Sequence, residues 1–131
     1  MAERIKVAML GTKEERSILI RDGSKLVSSA VLASPKVSEQ EIETFSNMKN
    51  VRENVLRDIA RSHKFKKNYV VVKNLCGNPR TPLDLSLGLM KNLLAPDLKT
   101  LSMNKNIPET LRKMAMKLFQ IRVSPGGRGG E

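Results

Sequence analysis

The chain has 131 residues, enough for one domain with its own core, and a net charge of +11. Hydrophobic residues make up 40% and charged residues 28%, which excludes a disordered composition. We expect no signal peptide at the N-terminus; no apolar run approaches the length of a membrane span, and the single cysteine, Cys76, excludes an intrachain disulfide. We therefore expect a soluble, cytoplasmic protein.

The positive charge is concentrated in the second half of the chain. Residues 1–60 contain ten Lys/Arg and nine Asp/Glu, a balance of 10 − 9 = +1. Residues 61–131 contain fourteen Lys/Arg and four Asp/Glu, a balance of 14 − 4 = +10. Such asymmetry predicts one face or end of the molecule that meets something anionic.

N-terminal capping signals divide the first half into short helices. Thr12, Ser38 and Asn50 each stand three residues before a glutamate, the spacing of a capping box. Ser24 is a further candidate cap. The apolar stripes after the caps at Ser24 and Asn50 have helical spacing: Leu26, Val27, Ala30 and Val31 in one, and Val55, Leu56, Ile59 and Ala60 in the other.

Segment 62–68 breaks this periodicity and is predicted to be a basic loop. The next residues, Tyr69-Val70-Val71-Val72, favour a strand by propensity, because three of them are β-branched. Their position before Pro79 matches that of residues 26–32 before Pro35. We therefore predict a helix, since burial often overrides so weak a propensity.

Three further helices are predicted in the second half. Thr81 is expected to cap the first, with Pro82 at its first position, and Asn106 repeats the capping spacing ahead of the last. Their apolar residues are Leu85, Leu89, Leu93 and Leu94, then Leu98 and Leu101, then Leu111, Met114, Ala115, Leu118 and Phe119. Residues 1–122 are thus predicted to be a single helical domain and residues 123–131 a flexible Gly-rich tail.

Two corners of the chain resemble each other and indicate an internal repeat. Residues 32–38 and residues 75–82 each end an apolar run at a small residue and a proline, and each then opens the next helix. Residues 49–53 and residues 105–109 are also similar in sequence. Units of roughly 20–25 residues are within the range of helical repeats that bury their apolar faces on their neighbours.

The corner Asn78-Pro79-Arg80-Thr81-Pro82 resembles the Asn-Pro-x-Thr-Pro corner of the leucine-rich repeat variant family. In the first corner Ser34, Val37 and Ser38 replace its Asn, Thr and Pro. The resemblance covers about residues 5–120 and extends to a group of small bacterial proteins that contain such repeats. It implies an all-α fold, a short right-handed α-solenoid of stacked short helices, similar in style to HEAT and armadillo repeats.

The sequence offers no constellation of residues that indicates catalysis or metal binding. His63 has no acid or thiol near it in sequence, and Cys76 follows an apolar residue at a helix end, as a packed thiol would. Some members of the resembling family hold an iron–sulfur cluster on a separate cysteine-rich segment, which a lone cysteine cannot do. We expect no enzyme, and therefore no catalytic residue, no cofactor and no metal.

A cluster of cations does suggest a site. Arg57, Arg61 and Lys64 have the i, i+4, i+7 spacing of one helix face, and more cations follow. We call the whole set the basic edge: Arg57, Arg61, Lys64, Lys66, Lys67, Lys73 and Arg80. A solvated face that maintains solubility would also explain it.

Two functions from different classes remain open for the basic edge. The first is a protein-interaction module that holds an acidic protein or peptide in the groove of the helical stack and along this edge. The alternative is nucleic-acid binding through backbone phosphates, which falls steeply with salt. Four aromatic residues offer a poor stacking platform for single strands, which favours the first function.

Overall fold

The computed structural model describes residues 1–124, which form ten α-helices and, within that range, no β-strand. The helices are α1 (Ala2–Leu10), α2 (Lys13–Leu19), α3 (Lys25–Ala33), α4 (Glu39–Ser46), α5 (Glu53–Arg61), α6 (His63–Lys66), α7 (Tyr69–Gly77), α8 (Leu83–Met90), α9 (Ala95–Ser102) and α10 (Glu109–Val123). The predicted all-α class is confirmed. Most of the predicted tail, residues 125–131, lies outside the described residues, and Val123 ends α10.

The helices contact one another in two interleaved series. In the first, α2 contacts α4, α4 contacts α7, and α7 contacts α9. In the second, α1 contacts α3 and α3 contacts α5, and further along α8 contacts α10. The two series are joined by the neighbouring pairs α2–α3, α4–α5, α7–α8 and α9–α10, and α6 bridges α5 and α7. A single apolar cluster runs from Ala8 in α1 to Ala115 in α10.

Capping boxes begin two of the helices, as predicted. At α2 the Glu15 amide donates to Thr12 Oγ1 over 3.1 Å, and the Thr12 amide donates to Glu15 Oε1 over 2.8 Å. At α4 the same pair of bonds joins Ser38 and Glu41, at 3.2 and 3.0 Å. Each box satisfies two amides that a helix start would leave free.

The other predicted caps are wrong or incomplete. Ser24 occupies the N-cap position of α3, but its side chain makes no capping bond. Asn50, Thr81 and Asn106 lie one or two residues before the true N-caps, which are Arg52, Pro82 and Pro108. The residue just before each true N-cap is buried, namely Val51, Thr81 and Ile107. Burial of that residue in the core therefore decides where the turn ends and the helix begins.

Thr81 is the polar member of this buried set, and within residues 1–124 its hydroxyl has no hydrogen-bond partner. Replacing Thr81 with Val keeps the shape of the side chain and removes the unsatisfied hydroxyl. We therefore expect Thr81→Val to raise the free energy of unfolding by about 0.5–2 kcal/mol, measured by urea unfolding. The control Thr81→Ser keeps the hydroxyl, loses a buried methyl group and should lower stability. A less stable Thr81→Val protein would contradict this explanation.

Ser34 and Asn78 hold the two similar corners in the same way. Each side chain accepts a hydrogen bond from the amide two residues later, at 3.1 Å for Ser34 and 2.9 Å for Asn78. Each also donates to carbonyls at or just after the end of an earlier helix, Ser34 to Met9 and Asn78 to both Ser46 and Met48. The likeness of the two corners thus extends from their sequences to their hydrogen bonds.

The segment after α5 differs from the predicted loop, because it contains the short helix α6. Ser62 Oγ caps it by accepting from the Phe65 amide at 3.2 Å, and Phe65 is buried. One apolar residue in four gives too little periodicity to reveal such a helix. The predicted helix at Tyr69–Val72 is confirmed: these residues open α7, where Val71 and Val72 enter the core.

Some apolar residues assigned to helix faces are largely exposed. Leu26 is 65% and Leu94 is 62% exposed. In α10, Leu111 is buried, but Met114 is 40% exposed and Leu118 only partly buried. Since α10 is the last helix of the described chain, no later helix within residues 1–124 covers its outer side.

Candidate binding surface

The basic edge lies along α5, α6 and α7 and the turn that follows. Its members are distributed as follows: Arg57 and Arg61 on α5, Lys64 and Lys66 on α6, Lys67 at the end of α6, Lys73 on α7, and Arg80 in the corner after α7. Six of the seven are exposed. Arg57 is partly buried and pairs with Glu53 of its own helix, at 3.5 Å.

The six exposed cations of the basic edge have no ion-pair partner among residues 1–124. Most of the described carboxylates already bind groups other than these six cations. The chain has 13 Asp and Glu residues, and Glu131 lies outside the described residues, which leaves 13 − 1 = 12 side-chain carboxylates. Nine of these 12 have a hydrogen-bond or ion-pair partner. The three others are Glu3, Glu14 and Asp84. The positive charge of this surface is therefore not neutralised from within the described chain.

Lys66 lines a groove of about 430 Å³ between α5–α6 and α8. Lys91 and Asp84 also line it, so that two cations and one carboxylate surround an apolar base that includes Ala60 and Leu89. Gly88 leaves the groove open, since nothing lies within 4 Å of where its Cβ would stand. The groove can thus receive an apolar side chain with an anionic group beside it.

Lys73 belongs to a different depression, of about 160 Å³, between α7 and α9. Asp97 lines the same depression, but its carboxylate accepts a hydrogen bond of 2.5 Å from the hydroxyl of Tyr69. Burial, together with this carboxylate, raises the pKa of Tyr69 above its ordinary value. Lys66 and Lys73 thus line different grooves, while Arg61 and Lys64 lie on the adjoining helices α5 and α6.

The sequence reasoning missed Lys91, which shares the groove of Lys66. The two lysines are 25 residues apart, and so are Arg16 and Glu41, the buried ion pair described below. Spacing rules that reach only a few residues ahead miss both pairs, because the members of each pair are 25 residues apart in the sequence.

The largest of the grooves described for residues 1–124 lies between α2, α4 and α7 and has a volume of about 630 Å³. It is lined by Lys13, Ser17, Gln40, Glu41, Glu43, Thr44, Phe45, Asn47, Met48, Val70 and Asn74. No member of the basic edge lines it. Its walls are mainly uncharged polar groups over an apolar base, so its chemistry differs from that of the basic edge.

A buried ion pair forms part of the wall of this largest groove. Arg16 Nε donates to Glu41 Oε1 at 2.7 Å and Arg16 Nη2 donates to Glu41 Oε2 at 3.0 Å, while both residues are about 5% exposed or less. The hydrogen bonds from Arg16 hold the pKa of Glu41 below its ordinary value, and those bonds raise the pKa of Arg16. The pair joins α2 to α4.

Neither His63 nor Cys76 is placed in a reactive cluster. His63 is exposed on α6. Cys76 is fully buried, and burial raises the pKa of its thiol to about 12, so that it is protonated at neutral pH. In the described part of the chain, no group of three or more His, Cys, Asp and Glu side chains could hold a metal ion.

Comparisons with known proteins do not assign the chain to a family. No family model matches it, and neither a curated protein nor a solved structure matches it. Among residues 1–124, no helix combines the length and the hydropathy that a crossing of the bilayer requires. The resemblance to leucine-rich repeat variant proteins stays a prediction.

Proposed function

We propose that this chain is a non-enzymatic binding module that holds an acidic protein or peptide through the basic edge and the groove beside it. The scaffold would be a short right-handed α-solenoid of leucine-rich repeat variant or HEAT-like repeats. The observation that carries the proposal is the set of six exposed cations without an ion-pair partner among residues 1–124, next to carboxylates that are mostly engaged.

The hydrogen bonds between distant residues support a stack of repeated units. Within residues 1–124, every side-chain hydrogen bond that joins residues more than ten positions apart spans 23 to 32 residues. So narrow a range is expected when each unit contacts mainly the unit before and the unit after it. The two matching corners at Ser34 and Asn78 support the same arrangement.

The chemistry of the basic edge indicates what its partner must supply. One exposed ion pair contributes only about 0.2–1 kcal/mol, so single lysines cannot hold a partner, but a field of several cations steers an anionic surface into contact. The groove at Lys66 and Lys91 adds an apolar base. An acidic segment that also carries apolar side chains satisfies both features.

Aromatic burial favours a protein partner over single-stranded nucleic acid. Phe45 and Phe65 are buried, and Tyr69 and Phe119 are only partly accessible. Base stacking needs accessible aromatic faces, and the described residues present none that are exposed. Duplex binding through backbone phosphates is the alternative, which the following experiment separates.

The triple variant Lys64→Glu, Lys66→Glu, Lys67→Glu should abolish partner binding with little change in melting temperature, because exposed charges contribute little to folding. The probe is a fluorescein-labelled peptide of alternating Glu and Leu, followed by fluorescence anisotropy. The control variant Lys6→Glu, Lys25→Glu, Lys49→Glu changes the net charge by the same amount, at exposed residues in the first half of the chain. This variant should still bind the peptide.

A parallel titration with random duplex DNA at about 50 and about 200 mM salt separates the two functions. Tighter binding of the duplex than of the peptide, with a steep salt dependence, would favour nucleic-acid binding. Binding of neither probe at about 50 mM salt would reject the basic edge as a binding surface. Equal losses in the triple variant and in its control would show an effect of net charge alone.

A further inference from the structure

Exposed apolar side chains are concentrated at the two ends of the chain. Eleven large apolar side chains among the described residues are exposed. Four are in residues 1–33 and four in residues 102–124: Met1, Leu10, Ile18 and Leu26 at one end, and Met103, Met114, Ile121 and Val123 at the other. The long middle part contributes three, Val70, Leu83 and Leu94. Stacked repeats need polar outer faces on their terminal units to stay separate, and the exposed apolar side chains make the faces at both ends of residues 1–124 partly apolar.

The N-terminal end has a groove of about 440 Å³ between α1 and α2. It is lined by Glu3, Arg4, Val7, Glu15, Ile18 and Leu19. Ile18 is 62% exposed although it lies in an apolar depression. Arg4 is already paired with Asp22, at 3.1 Å, so the uncompensated charge around the groove is that of Glu3 and Glu15. The groove is therefore apolar with a negative rim.

The C-terminal end presents the complementary features on α10. Met114, Leu118 and Ile121 have the i, i+4, i+7 spacing of one helix face, and Met114 and Ile121 are 40% and 49% exposed. Lys113 and Lys117 lie among them on the same helix and are exposed. Lys117 forms no ion pair with another described residue, and Lys113 is held by Glu109 at 3.6 Å. This surface is apolar with a positive rim.

We propose that copies of this chain associate head to tail, with α10 of one copy seated in the α1–α2 groove of the next. Met114 and Ile121 would cover Ile18 and Val7, and Lys117 would meet Glu3. The partner in this contact is a second copy rather than another protein, because the same chain carries both complementary surfaces. This inference is independent of the basic edge.

The distribution of charge favours one relative orientation of the two copies. Residues 1–60 carry 10 − 9 = +1, whereas residues 61–124, which leave out Arg128 and Glu131, carry 13 − 3 = +10. A tail-to-tail contact would bring two strongly positive ends together, which Coulomb repulsion disfavours. A head-to-tail contact uses two different surfaces and leaves one of each free on a dimer, so assemblies should grow with concentration, as open chains or as a ring where the rotation closes.

Sedimentation velocity over a range of concentrations tests the proposal. The unaltered protein should show an average mass that rises with concentration. Ile18→Asp and Met114→Asp each remove one surface and should each be monomeric. Mixed together, the two variants should form a one-to-one dimer and stop there, because each retains one intact surface. Val70→Asp alters an exposed apolar residue in the middle of the chain and should associate like the unaltered protein.

The charge pair supplies a second test that removes no apolar group, and it remains valid if Met114→Asp fails to fold. Lys117→Glu should weaken association, and the further change Glu3→Lys in the same chain should restore it. A monomer at every concentration would overturn the proposal. So would a mixture of the Ile18 and Met114 variants that forms no dimer, or either variant associating with itself.

Discussion

Replacing Glu41 with Gln is expected to lower the free energy of unfolding by about 3–5 kcal/mol, because it leaves the buried guanidinium of Arg16 without its carboxylate. Gln can still accept the capping bond at the start of α4, so the change isolates the ion pair from the capping box. Since domains of this kind have a total stability of about 5–15 kcal/mol, chemical denaturation will resolve a loss of this size.

The control is the double variant Arg16→Met, Glu41→Gln, which removes both charges and keeps the acceptor of the capping box. Apolar residues of similar volume often replace a buried ion pair at little cost, because the desolvation penalty of both charges disappears. We expect the double variant to be more stable than Glu41→Gln alone. A Glu41→Gln protein as stable as the unaltered one would show that water solvates Arg16 through the adjoining groove.

The same pair predicts how stability depends on pH. The pKa of Glu41 in the folded protein is lowered, mainly by the hydrogen bonds from Arg16. The ionised carboxylate therefore adds to the free energy of unfolding, and this contribution is fully present above the pKa of a glutamate in the unfolded chain, about 4.3. That contribution is lost as the pH falls from about 4.3 through the lower pKa of the folded state. Glu41→Gln should remove this part of the acid sensitivity, measured by urea unfolding at several pH values.

Leu56→Ala is the second change with a large expected effect, a loss of about 2–5 kcal/mol, because Leu56 is fully buried where α5 enters the core. The matched variant is Leu118→Ala. Its side chain is only partly buried on α10, so we expect a clearly smaller loss, of about 1–2 kcal/mol. Urea unfolding of both proteins makes the comparison. Equal losses would mean that the outer side of α10 is covered in solution, as head-to-tail association requires at high concentration.

The sequence predicts well those features of the fold that depend on local chemistry. The capping boxes at Thr12 and Ser38 are recognisable because both partners lie within three residues of each other. The helix at Tyr69 could be predicted only by its likeness to another part of the chain, because its own β-branched residues favour a strand. Likeness between corners was thus more informative than propensity.

The missed features depend on contacts between distant residues. Nothing near Glu41 in the sequence distinguishes it from Glu15, since both fit a capping box, yet only Glu41 meets an arginine 25 residues away. Lys91 likewise joins the groove of Lys66 only through the packing of α8. The true N-cap at Arg52 is set by burial of Val51, which a local capping rule does not include.

A heteronuclear NMR titration with the Glu–Leu peptide tests the central proposal most directly, because it locates the contact. Binding at the basic edge predicts shifts of the amides of residues 57–73 and of Lys91 and its neighbours, with residues 13–47 around the largest groove unchanged. Shifts confined to residues 13–47, or spread evenly over the molecule, would contradict the assignment of the basic edge as the binding surface.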